Sequence, residues 1–533
     1  MKKQVYPILI TLLFGGVLYY FMLPPLNLSA PIFWVFFLMI ITVYLVTSTI
    51  YNFSLTNMII KNNKTPRNKK SEYIILGMIA IFFLIIVINL FNSPMFNSKS
   101  YYNRIKVNND NDFTTDIKEV DFNSLPLLDK DSSRKLGDRV MGQMTELVSQ
   151  FRVSNLYTQI NYNEDIIRVT PLEYANVIKY FTNRKNGVKG YIKLNSVTGK
   201  AELVKLDKGM RYMPSALFNE NLYRKIRFAY PTVIFGTASF EIDDEGKPYW
   251  IIPTLKYTGV GLKEEVTGVV VFDPITGDST KYDNKSIPNW IDHVFASRLI
   301  IEQLNDWGKY ERGFFNSIFG QKNVVMTTEG YNYTIMNGDV YLYTGITSVA
   351  SDESNVGFVL SNLRTKETNY YPVSGAEEFS AMASAEGQVQ HLKYKASFPL
   401  LINLNNKPTY LLSLKDNAGL VKMYAFVDVA DYQKVVVTEA KDGIEKAARN
   451  FLGDDFNKID NDDLIQKNIV VKKINEAIID GTTYYYLIDK DNNRYKVSIV
   501  TEPNLLPFIE VGSNLNISYQ VLEEINEIIK INK

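Results

Sequence analysis

The sequence predicts an α+β protein on a membrane anchor: three N-terminal transmembrane helices, a large extracytoplasmic ectodomain of antiparallel sheets covered by helices, and a small C-terminal β-barrel. Three observations carry this. No charged side chain occurs from Gln4 to Ile60, and none from Tyr73 to Ser98, where a spanning helix needs about 20 apolar residues. Beyond residue 98, short strand-like segments bounded by Gly, Asn, Asp and Pro alternate with helical patterns, as sheets covered by helices require. Residues 453–533 return to short alternating strands, a pattern that suits a small barrel.

Within the anchor, Val5–Leu23 reads as the first span. Pro24 and Pro25 cannot continue a helix and begin a turn. Pro31–Ile50 is the second span, with proline tolerated in its first turn, and Tyr73–Phe91 is the third. The first span is too long for a signal-peptide core and no small-residue cleavage site follows it. The spans hold no ionisable residue, so no ion path is visible in them. Lys2 and Lys3 precede the first span, and Lys61, Lys64, Arg67, Lys69 and Lys70 fill the loop between the second and third. That bias places the N-terminus and this loop in the cytoplasm and residues 93–533 outside. Protease added to wall-stripped cells should therefore digest epitopes after Asn92 and spare one at 62–68; the reverse pattern would refute the topology.

Net charge is +1, which gives no electrostatic case for a nucleic-acid partner. The chain has no cysteine, where an exported eukaryotic domain of this size usually carries disulfides. With its abundance of Lys, Asn, Ile and Tyr, it reads as a Gram-positive surface protein.

The ectodomain opens with a polar segment, 93–125, rich in Asn, Asp, Ser and Lys, that reads as a tether. Asp131 or Ser132 caps a helix with apolar positions Leu136, Val140, Met144 and Leu147. Strands follow over Phe151–Val169, then a short helix opened by Pro171, then a hairpin around Ser196-Val197-Thr198-Gly199. Helical stretches are expected at Trp290–Trp307, Gly375–Leu392 and Ala440–Leu452. The anchors Ala238-Ser239-Phe240, Lys247-Pro248-Tyr249 and Phe272-Asp273 are paralleled by Ala396-Ser397-Phe398, Lys407-Pro408-Thr409-Tyr410 and Phe426-Val427-Asp428, which reads either as an internal repeat or as chance similarity between hairpins. The divisions are an anchor (1–92), a tether (93–125), three α+β units (126–215, 216–330 and 331–452) and a barrel-like module with a terminal helix after Gln520 (453–533).

A helix followed by antiparallel strands ending in Val269-Val270-Val271-Phe272-Asp273-Pro274-Ile275-Thr276-Gly277 resembles the PepSY module, a small exported bacterial α+β domain. Gly190–Lys205 matches it more weakly, and together these pieces cover about a tenth of the chain. The run from Val340 to Val429 resembles large polytopic surface proteins of Firmicutes without an assigned activity. The resemblance implies inhibition or regulation of peptidases and supplies no catalytic residues.

Chemistry is sparse. His293 and His391 are the only histidines, which excludes a His-rich zinc site or a His-Glu-x-x-His helix. No Gly-x-Ser-x-Gly elbow, Ser-x-x-Lys pair or phosphate loop occurs. Asp489–Asn493 begins like a calcium loop, but Arg494 stands where its glycine belongs and Val500 where its glutamate belongs. It reads as a hairpin turn. His293, after Asp292 at an expected helix start, reads as a capping or packing residue. The stretch Gly375–Gln388 has almost no side-chain bulk on its Ala, Ser and Gly positions. It packs tightly on a sheet, or it floors a groove rimmed by Arg364, Glu367, Glu377, Glu378 and Glu386, with His391 beside it. Paired carboxylates there could cleave a glycosidic bond if held about 5–9 Å apart.

These features describe a non-catalytic, membrane-anchored envelope protein whose ectodomain binds, regulates or scaffolds an extracytoplasmic partner. The alternative is a membrane-tethered, carboxylate-dependent hydrolase of wall glycan or peptide. The expected partners are the lipid bilayer and an extracytoplasmic or membrane protein, a second copy of the chain included; no cofactor or metal is expected.

Overall fold

The computed structural model describes residues 2–59, 69–122, 125–349, 354–453, 465–479, 482–499, 501–521 and 525–532. The basic residues at 61, 64 and 67 lie outside them. The chain forms two compact units, 1–447 and 448–533.

The first unit begins with the helices Lys2–Met22, Pro31–Ile59 and Lys69–Asn92. Each is long and apolar enough to cross a membrane. Residues 93–125 are not a free spacer. Pro94–Tyr102 is a helix, and Ile105 and Phe113 are buried in the body of the unit. Val107–Asn108 pairs in parallel with Thr368–Asn369. Composition concealed this because a few apolar residues suffice to seat a polar segment that finds backbone partners.

The rest of this unit is one motif built four times. A helix is followed by five strands, of which the first two both pair with the third, and the fourth and fifth follow in order, all antiparallel. The helices are Lys130–Gly142, Leu222–Ala229, Ser297–Tyr310 and Glu378–Gln388. Their strands lie within 151–210, 234–283, 325–371 and 395–439. The stretch 331–452 therefore holds parts of two sheets, not one unit. Lys247-Pro248 and Lys407-Pro408 both open the third strand of their sheets, so these repeat anchors occupy equivalent places.

The turn between fourth and fifth strands is built alike in the first three sheets. One side-chain oxygen of Asn195, Asp273 or Asn362 accepts the backbone N–H groups two and three residues ahead. Thr198, Thr276 and Thr365 then accept the N–H two further on. The fifth position is left-handed, at Gly199, Gly277 and Lys366. In the fourth sheet Asp428 makes the same two bonds, to Ala430 and Asp431. Such Asx turns replace ladder bonds lost at a strand end.

Sheets and helices stack in layers. Trp250, Ile252, Val270 and Phe272 of the second sheet enter a core shared with the first sheet, while Ile251, Val269 and Val271 enter a core shared with the third. In the third sheet, Leu342 and Val359 face one way and Tyr343 and Phe358 the other. A strand covered on both faces reads as a continuous apolar run, which explains Trp250-Ile251-Ile252 and Val269–Phe272. Ala381 and Ala385 are fully buried where their helix lies on the fourth sheet; the small residues there serve close packing.

Four boundaries differ from expectation. Asp129, not Asp131 or Ser132, caps the first repeat's helix, which ends at Gly142 before Met144 and Leu147. Pro171 lies inside the strand Asp165–Tyr174 and does not open a helix; its carbonyl accepts from Ser154 N–H, and Asn176 caps the helix Val177–Asn183 instead. Residues 290–296 are a loop, because the Glu241 carboxylate captures the N–H groups of Asp292 and His293. Gly375–Ala376 is a short edge strand against Ser354–Asn355, so the helix begins only at Glu378.

In the second unit, Ile465–Ile479, Thr482–Asp489, Arg494–Ser498, Asn526–Asn532 and Asn514–Gln520 pair in a closed ring around Val471, Leu487, Val497 and Ile517. The expected terminal helix is absent among the described residues: Asn526–Asn532 is the strand that completes the ring. Asp489 accepts from Lys467, Asn493 and Tyr495 at 3.0, 2.9 and 3.1 Å. Although burial opposes it, these bonds hold its carboxyl at about 2. The turn spends its acid on protein donors, not on a cation.

Candidate functional site

The second strands of the repeats, Thr158–Tyr162, Ser239–Ile242, Asn332–Met336 and Leu400–Leu404, are short. Residues in or beside them border one cleft of about 500 Å³, with Tyr157, Arg168, His293, Tyr331, Tyr333 and Phe398 in its wall. All four repeats and the Asp129–Asp131 segment contribute.

Arg168 is the distinctive group. It stands directly across the ladder from Gln159, whose Oε1 accepts from Arg168 Nη2 at 2.7 Å. The side chain is 5% exposed and its Nε has no partner. Burial pulls the guanidinium pKa down, opposed by Asp129 and Tyr333. Asp129 does not neutralise it directly: one Asp129 oxygen caps the helix at Ser132 N–H, 2.9 Å away, and the other pairs with Lys415. Exposed Lys130 and Asp131 offset each other at the rim. Arg168 thus brings a buried positive charge to the cleft wall without a carboxylate bound to it. Burying an ion is costly unless a partner compensates, so an oxyanion in the cleft would be strongly favoured.

Beside it, His293 Nε2 lies 2.7 Å from Gln159 O. A carbonyl only accepts, so Nε2 carries the proton and the ring is held as part of the wall. Tyr333, 6.0 Å from the His293 ring, bonds to Ser297 at 2.7 Å. Behind the wall, Glu241 is fully buried and accepts from Ser239 Oγ at 2.7 Å and Asp292 N–H at 2.9 Å. Asp292 accepts from Asn161 N–H at 2.7 Å. Burial, then the Glu241 carboxylate, pushes the Asp292 carboxyl well above its ordinary range. Glu241 ties the 290–296 loop to the second repeat and Asp292 ties the same loop to the first, and neither acid lines the cleft.

The residues that the sequence singled out are held apart. Glu378 is fully buried and accepts from Tyr343 at 3.0 Å and Asn355 at 3.2 Å, so it is no rim residue. Arg364 makes two 2.7 Å bonds to Asp339. Glu378 bonds to Asn355 and Arg364 follows Asn362, at the two ends of the strand Ser354–Asn362, whose 355–362 stretch spans about 23 Å at 3.3 Å per residue. Glu367 follows in the Arg364 turn, with its N–H on Thr365. Glu386 pairs with Lys395 at 2.7 Å and accepts Ala396 N–H. Glu377 precedes the helix, and His391 is exposed in a turn beyond it. No shared groove gathers these six. Arg168 and its aromatic neighbours escaped the sequence reading because four chain segments far apart in order build the cleft. The one available signal was Arg168 among the apolar Ile166, Ile167 and Val169.

No family model matches the chain, and no curated protein matches it. Among solved structures, a Bombyx mori GH32 beta-fructofuranosidase is 10% identical to it over 76% of this chain and 70% of that one, with a TM-score of 0.19. An overlap that low carries no weight for fold or chemistry.

Proposed function

We propose that this is a non-catalytic, membrane-anchored envelope protein whose ectodomain faces outward and holds an extracytoplasmic partner in the four-repeat cleft, with an oxyanion of that partner against Arg168. The buried charge of Arg168, with no carboxylate bound to it and its Nε without a partner, is the observation that carries this reading. The aromatic wall of Tyr157, Tyr331, Tyr333 and Phe398 supplies a surface for the apolar body of the bound group. The common helix-and-five-strand order with its Asx turns supports reading the repeats as PepSY-like modules of a Gram-positive surface protein. The buried acids Glu241 and Asp292 are engaged with backbone N–H groups, which favours binding over the hydrolase alternative.

The test is photocrosslinking in intact cells from p-benzoylphenylalanine placed at Tyr331, with and without Arg168→Met. A hydrogen bond to a charged group contributes about 1.5–3 kcal/mol, so the variant should lose about ten-fold or more of the captured partner. Its melting temperature is read alongside, because the change removes a buried charge with no carboxylate bound to it but leaves Gln159 Oε1 without its donor. Equal capture by both proteins overturns the reading. So does release of wall fragments by the parent chain that is lost on Asp131→Asn, at an exposed acid of the cleft rim, while the fold stays intact, which would establish the hydrolase.

A further inference from the structure

The spans do not merely tether the ectodomain; its own surface grips their outer ends. Arg224 Nε donates to Tyr20 O and Arg227 Nε to Leu23 O, each at 3.0 Å. These carbonyls lie at the end of the first span, where helix C=O groups lack internal partners. The Arg224 guanidinium lies 4.1 Å from the Tyr20 ring centre. Leu26 N–H donates to Pro231 O and Gly261 N–H to Ser29 O. At the third span, the Asn89 side chain accepts from Val260 N–H at 2.8 Å and donates to Val260 O at 3.0 Å.

Two uncovered apolar patches continue from these grips. Beside the first span, Phe218 O accepts from Arg224 Nη1 at 2.5 Å, and the Phe218 ring meets Phe181 at 6.2 Å. Phe181 shares the helix Val177–Asn183 with Ile178, which is 73% exposed, and Val177. Tyr180 of the same helix points inward and is buried. Beside the third span, Tyr101 of the helix that follows it meets Tyr310 at 6.1 Å, and Phe314 stacks on Tyr310 at 6.5 Å. Next come exposed Phe315, Ile318 and Phe319, the last 80% exposed, in a run with no charge from Gly313 to Gln321. Exposed Met95 and Phe96 start the linking helix itself.

Large aromatic side chains beside span ends belong to the membrane interface, and short amphipathic segments lie in that layer with the apolar face down. We propose that the ectodomain sits on the bilayer on two apolar feet, Val177/Ile178/Phe181/Phe218 and Phe315/Ile318/Phe319, sunk into the leaflet on its own side. The occupant of both patches is lipid, because each is continuous with a contact that the ectodomain already makes to a span. The seat fixes the ectodomain's tilt and holds it close to the membrane.

The absence of cysteine makes the test clean, since an introduced thiol is the only one. Ile178→Cys, Phe181→Cys and Phe319→Cys each replace an exposed side chain and should fold; melting curves check this. The full chain is placed at one copy per phosphatidylcholine–phosphatidylglycerol nanodisc and labelled with a nitroxide. Glu245→Cys is the reference, because the strand Pro248–Thr258 separates that turn from the membrane contact at Gly261 by about 36 Å at 3.3 Å per residue. At all three foot positions, quenching by dioxygen should rise and quenching by a water-soluble nickel chelate should fall, each several-fold against the reference. Chelate quenching equal to the reference at either foot overturns the two-footed seat. Shielding that appears only when discs carry two copies overturns it as well, and would assign the patches to a protein contact.

Discussion

Replacing Trp250 with alanine should destabilise the 1–447 unit by about 3–5 kcal/mol, the range for a buried aromatic truncated in a packed core. Trp250 is fully buried and is among the largest side chains so enclosed. Its ring meets Phe240 edge-on at 5.3 Å, within the core shared by the first two sheets. The indole Nε1 has no partner, so the loss is one of packing and cavity. Phenylalanine at this position should recover more than half of it, having no hydrogen bond to replace. Chemical unfolding of the full chain in detergent, followed by circular dichroism, measures both. A loss below about 1 kcal/mol for Trp250→Ala would mean that the two sheets do not share this core.

Glu378→Ala should cost about as much, roughly 3–5 kcal/mol, by a different route. It takes the acceptor from the Tyr343 hydroxyl and leaves the Asn355 amide only its bond to Tyr410, at about 1–3 kcal/mol for an unsatisfied buried group, and it empties a site for which Gly345 makes room. A Cβ at Gly345 would stand 2.6 Å from Glu378 Oε1. Glu378→Gln should behave differently. Burial raises the carboxyl pKa above its ordinary value, although bonds from Asn355 and Tyr343 oppose this. A raised acid contributes stability that is fully present below its unfolded pKa, about 4.3, and lost as pH rises through the folded value. At neutral pH the carboxylate is therefore a burden that glutamine removes. The amide can still accept from Tyr343, and its NH₂ can serve Asn355 Oδ1, which has no partner. The Gln variant should match or exceed the parent above the folded pKa and lose part of the parent's rise in stability as pH falls through that raised value toward the unfolded one. A Gln variant as damaged as the Ala variant would show that the site needs the charge.

The chain order alone determined the features that depend on local runs. Two charge-free stretches, the first broken by Pro24-Pro25, provide three apolar runs long enough for a bilayer, and the helices at 2–22, 31–59 and 69–92 follow them. The hairpins at Tyr191–Leu206 and Tyr484–Ile499 were legible because turn residues sit between alternating strands, and their chemistry is local. The Asp273–Gly277 turn was legible for the same reason. Tertiary structure decided whatever depended on a distant partner. Glu241 unwinds the start of an expected helix by taking two N–H groups from 51 and 52 residues away. Ile105 and Phe113 turn an apparent tether into part of the body. Glu378 looks like a helix-surface acid in its own segment, and only Tyr343 and Asn355 of the neighbouring sheet draw it inside. The cleft is the extreme case: Gln159 orients Arg168 across one ladder, but the walls come from residues 129 to 398. No short window of sequence contains that geometry, because it arises only when four similar sheets stack and their short second strands meet.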